Sequence, residues 1–94
     1  MQEIIDQEFS YAVVDVADNS TTVVSNGARL RGIRINTSLS AHALPIKDGA
    51  TTVITIPASS VAGAWIECGD MRFVNSLIVD PDDAATGSIT VVYR

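Results

Sequence analysis

The 94 residues predict an all-β fold, a small antiparallel β-sandwich, and three observations lead to it. Apolar and polar residues alternate with a period of two through most of the chain. The apolar residues are mainly Val, Ile and Ala; Thr and Ser are plentiful, Lys and Glu scarce, a profile that suits strands better than helices. Turn residues interrupt the alternation at about the 8–12-residue spacing of a sandwich or barrel. No helical period outlasts about a turn except at QEIIDQEF, so a parallel α/β sheet is excluded. About eight short strands with jelly-roll-like or Greek-key connections are expected.

The elements follow in order. FSYAVVDV (9–16) is the first strand, closed by ADNS. TTVVS (21–25) comes next and ends at Asn26-Gly27, a tight-turn dipeptide. In ARLRGIRINT (28–37) the alternation slips, because Leu30 is out of phase with Ile33 and Ile35. A bulge at Arg31-Gly32 would return all three to one face. AHALPIK (41–47) is a strand that Pro45 should confine to an edge or make irregular. Asp48-Gly49 turns the chain into TTVITIP (51–57), a hairpin. ASSVAG is a loop or one helical turn. AWIECG (64–69) and MRFVNSLIVD (71–80) read as two strands joined at Gly69-Asp70, and GSITVVYR (87–94) is the last. Residues 1–8 have no place in this count and form an arm, extended or helical; residues 9–94 form a single domain.

Composition limits function. One core is all that this length allows, burying about 60–65% of the unfolded surface, so oligomerisation would be a natural supplement. A net charge of −5 argues against nucleic acid as a partner. No stretch approaches the roughly 18 apolar residues of a membrane helix, and the first ten residues do not form a signal peptide. A small, soluble, acidic domain without membrane association is expected. The two N-x-S/T triplets at Asn19 and Asn36 read as chance.

Candidate chemistry is sparse. Asp80, Asp82 and Asp83 lie in one loop, but a calcium loop counted from Asp80 would place Ala85 where glycine is needed and Val91 where a bidentate glutamate is needed. A turn set by Pro81 and Gly87 is the better reading. His42 is the only histidine and Cys68 the only cysteine, too few ligands for zinc. Cys68 is in phase with Ile66 and should pack as a small apolar residue. No nucleophile elbow or paired carboxylates occur, so neither an enzyme nor a cofactor is expected. Trp65 is assigned to the core or an interface, the five aromatics being too few for sugar platforms. Arg29, Arg31 and Arg34 place half of the positive charge within six residues. They read either as a solvated strip that discourages edge pairing or as a docking strip for acidic surfaces.

The segments SAHALPIKDG, TIPAS, GAW and LIVDPDDAATGSITVVYR resemble small virion proteins of tailed bacteriophages, especially those of marine bacteria. The resemblance spans residues 21–94. It implies a head decoration, or cement, protein: a small β-sandwich bound outside the capsid lattice, with the major capsid protein as partner, and often a homotrimer. It brings no active-site residues. On this reading the partner-binding residues are Ile4 and Ile5 of the arm with Arg29, Arg31 and Arg34. A tail or baseplate component, and a small ligand- or carbohydrate-binding module, are the competing expectations.

Overall fold

The computed structural model describes residues 9–94, which form two packed antiparallel sheets of four strands each. In chain order the strands are β1 (Ser10–Asp15), β2 (Thr21–Val24), β3 (Ala28–Thr37), β4 (Leu44–Asp48), β5 (Thr51–Ile56), β6 (Trp65–Phe73), β7 (Leu77–Val79) and β8 (Ser88–Tyr93). The first sheet runs β1-β8-β3-β6 and the second β2-β7-β4-β5. Only β4 and β5 are joined as a hairpin within one sheet; every other connection crosses between the sheets. That winding is the eight-stranded jelly roll. The arm with Ile4 and Ile5 lies outside the described residues.

The alternating apolar residues become the filling between the sheets. Leu30, Ile33, Ile35, Ile89 and Val91 from the first sheet meet Leu44, Ile46, Ile56, Leu77 and Val79 from the second, all at most 1% exposed. Leu30, Ile33 and Ile35 share the inner face because β3 shifts register between Leu30 and Gly32 against both neighbours, the bulge that the phase slip predicts. The Asp48 turn is also as expected: Asp48 pairs with Thr51 across a two-residue loop, and Gly49 there has a φ of 61°.

Three expectations about boundaries are corrected. Gly69-Asp70 does not separate two strands. Both residues are left-handed, with φ of 61° and 60°, and β6 runs on through them to Phe73. Aspartate is among the few side chains that tolerate this conformation. The break comes instead at residues 74–76, where Asp48 gathers three backbone amides. Val74 N–H donates to Oδ2 at 2.9 Å, and Asn75 and Ser76 donate to Oδ1 at 2.8 and 3.2 Å. These bonds, that of Val74 foremost, hold the Asp48 carboxyl below its usual range. Finally, β4 is an inner strand and not an edge, but it is irregular as the alternative expectation had it, its register with β5 shifting between Ile46 and Lys47. Pro45 is tolerated because the β7 ladder begins only at Ile46, and at Pro45 the Asp80 amide bonds to its carbonyl at 3.1 Å.

Candidate functional site

The sandwich has one face whose composition is unusual for solvent. β1 carries apolar residues in both phases: Val14 points into the core, while Tyr11 and Val13 point outward, 72% and 67% exposed. Register carries these positions across the first sheet. Tyr11 lies beside Val92, then Gly32, then Glu67; Val13 lies beside Thr90, then Arg34, then Trp65. Phe9, just before β1, and Trp65 are 44% and 46% exposed. Three of the chain's five aromatic residues therefore stand on one outer face. Exposed apolar area gathered in this way marks a binding surface.

Polar contacts fix the face. Trp65 donates its indole N–H to Glu67 Oε1 at 3.0 Å. Arg31 Nη1 lies 3.3 Å from the second oxygen of Glu67, which also accepts the Gly69 amide at 3.0 Å. These contacts, the indole bond first, hold the Glu67 carboxyl below its usual range. The indole lies over Gly32, where a Cβ would meet its Cζ2 at 2.1 Å. Only a glycine leaves the ring its seat. The Phe9 ring has the Arg31 guanidinium 6.0 Å and the Arg94 guanidinium 5.4 Å from its centre, within cation–π range.

Arg29, Arg31 and Arg34 are all exposed on this side of β3, opposite Leu30, Ile33 and Ile35. Arg31 is engaged with Glu67 and Phe9, whereas the Arg34 side chain forms no hydrogen bond or ion pair among the described residues. Arg29 reaches only the Asp70 carbonyl, at 3.4 Å. Trp65 belongs to the open face and not to the core. The sequence signal for Phe9, Tyr11 and Val13 is a strand apolar in both phases, a pattern that calls for cover on both faces.

The other candidates have local roles. Asp80 pairs with Lys47 at 2.7 Å, and Asp82 Oδ1 accepts the Ala84 amide at 2.9 Å and lies 3.8 Å from His42 Nδ1. No group of three or more potential ligands among the described residues is placed to hold a metal ion. Cys68 is half-buried against the core, its thiol pushed up by burial and secondarily by Glu67. No helix among the described residues is long and apolar enough to cross a membrane. Comparison with family models, with curated proteins and with solved structures finds no match to this chain.

Proposed function

We propose that this protein is a non-enzymatic structural part of a phage particle, a decoration or cement protein that binds the outside of the capsid lattice through the outer face of its first sheet. The observation that carries the binding role is the open patch of Phe9, Tyr11, Val13 and Trp65 interleaved with arginines. Aromatic residues and arginine are enriched, and lysine depleted, at the centres of protein interfaces. The phage assignment is supported by the resemblance of residues 21–94 and by the jelly-roll architecture, which viral capsid domains share with lectins and cupins. A protein that binds only the assembled shell adds its binding free energy to the shell's stability by mass action.

The test is co-sedimentation of the purified protein with purified tailed-phage capsids, followed by electron microscopy of the decorated particles. Trp65→Ala is expected to weaken binding by at least ~10-fold, the scale of an interface hot spot. No binding to intact shells, or binding unchanged in the variant, overturns the reading.

One observation favours a second reading. Trp65 is pinned over glycine with nearly half its surface open, the form of a sugar-stacking platform. Quenching of its fluorescence by neutral oligosaccharides, with no capsid binding, would select a carbohydrate-binding module instead.

A further inference from the structure

At one end of the same face, away from Trp65, β3 and β6 place two arginines directly opposite each other. Arg29 pairs in register with Arg72, both pointing outward, while their neighbours Ala28 and Phe73 pair inward. The next strand brings Arg94 alongside, its backbone amide and carbonyl bonded to those of Arg29 at 3.0 and 2.8 Å. Three cations thus stand in a row across β8, β3 and β6. They border a hollow of about 510 Å³ formed by residues 27–29, residues 72–74 and Arg94.

Like charges directly across a ladder are unfavourable, with Cβ atoms about 4.5–5.5 Å apart. Asp70 is the carboxylate at this end, and it pairs with Arg94 at 2.8 Å. The Arg72 side chain makes no hydrogen bond or ion pair among the described residues, and that of Arg29 has only the long bond to the Asp70 carbonyl. Among the described residues no side-chain carboxylate forms an ion pair with Arg29 or Arg72. Guanidinium groups present forked donors that match an oxyanion in two parallel bonds, a geometry lysine lacks.

We propose that this hollow is a receptor for the carboxylates of an acidic segment on the protein partner, held between Arg29 and Arg72. The inference rests on the proposed binding face and names what one end of it recognises. A carboxylate fits the surroundings better than a polyphosphate does, because Ala28 and the exposed Val74 give the hollow apolar edges for the aliphatic stem of Glu or Asp. The acidic remainder of the chain also repels a densely charged polyanion.

The test uses the full chain and two probes, a tetraglutamate peptide and inorganic phosphate, read by NMR on backbone amides and arginine side chains. The peptide is expected to shift residues 27–29 and 72–74, more weakly as salt rises above about 0.15 M. Arg72→Gln and Arg29→Gln should each weaken it ~10-fold or more, and Thr52→Ala, exposed on β5 of the other sheet, should not. Because each Gln variant removes one of two opposed charges, its urea midpoint should match or exceed that of the parent. Shifts from phosphate but not from the peptide overturn the carboxylate assignment; no shifts from either overturn the site. A lowered midpoint in Arg72→Gln would show that the pair is bridged internally, and would also overturn it. Peptide binding that survives when capsid binding fails separates this inference from the proposed function, since the hollow would then stand while the particle assignment falls.

Discussion

Gly32 tests the design of the open face most directly. A side chain there would place its Cβ 2.1 Å from Trp65 Cζ2, 2.5 Å from Cη2 and 2.8 Å from the Ile66 carbonyl oxygen. All three distances are below any ordinary contact. The indole can swing aside, but only by leaving its seat and its 3.0 Å bond to Glu67. The Ile66 carbonyl is backbone within the β3–β6 ladder and cannot yield cheaply. Gly32 does not have a positive φ, so the constraint is steric crowding and not backbone strain. Gly32→Ala should therefore cost ~1–3 kcal/mol, the usual range for overpacking.

The assay is urea unfolding followed by circular dichroism, with the slope checked so that a change in midpoint reports stability. A double-mutant cycle separates the two obstacles. In a Trp65→Ala background the ring is gone and only the carbonyl remains, so the cost of Gly32→Ala should fall but not vanish. An Ala variant within about 0.3 kcal/mol of the parent would refute the packing argument. An equal cost in both backgrounds would place the obstacle at the carbonyl alone.

Three further outcomes are expected. The Asp48 carboxyl titrates below 3.8 when folded, so its contribution is present above that pH and is lost as pH falls through the lower folded value. Asp48→Asn should flatten the stability profile below about pH 4, and an unchanged profile would remove the turn from this role. Cys68, with its thiol raised by burial, should react with a disulfide reagent at pH 7 more slowly than a free thiol does; a rate equal to that of the free thiol would place it in solvent. Calorimetry with calcium should show no micromolar site at Asp80, Asp82 and Asp83, because Asp80 is taken by Lys47 and Asp82 by the Ala84 amide; a clear isotherm would contradict that assignment.

What the sequence disclosed, and what it did not, follows from the range of the interactions. The β3 bulge was legible because a phase slip of one residue is local and has one economical cure. The β4–β5 hairpin was legible for the same reason: two loop residues determine it. The β6–β7 boundary was not, because its turn is organised by Asp48, 26 positions before Val74, and no local pattern announces such a capping group. Pro45 suggested an edge because the rule assumes a ladder on both sides, whereas β7 ends before reaching it. The arginine strip was legible as exposed. Its aromatic neighbours were not, because a count of five aromatics says nothing about three of them sharing a face, and only strand order brings Trp65 into line with Val13.

Strand order also divides the charge, and that division sets how the molecule should approach an acidic partner. All five arginines stand on the first sheet or at its end, against Asp15, Glu67 and Asp70, leaving a surplus of two positive charges there. The remaining described residues hold Lys47 against five aspartates, a deficit of four, and residues 1–8 add three more carboxylates, which together make the net −5. The sheets of a sandwich lie about 10 Å apart. At an ionic strength of about 0.01 M the screening length is ~30 Å, so a partner senses both faces together and the net negative charge repels it. At about 0.15 M the screening length is ~8 Å, shorter than the sandwich is thick, and a partner meeting the first sheet senses mainly its arginines. Near 1 M those contacts are screened as well. The association rate with a carboxylated dextran surface should therefore pass through a maximum at intermediate salt. Surface plasmon resonance across that range reads it directly. A rate that falls steadily from the lowest salt would mean that the local arginine field outweighs the net charge even unscreened, and the argument from segregation would fail.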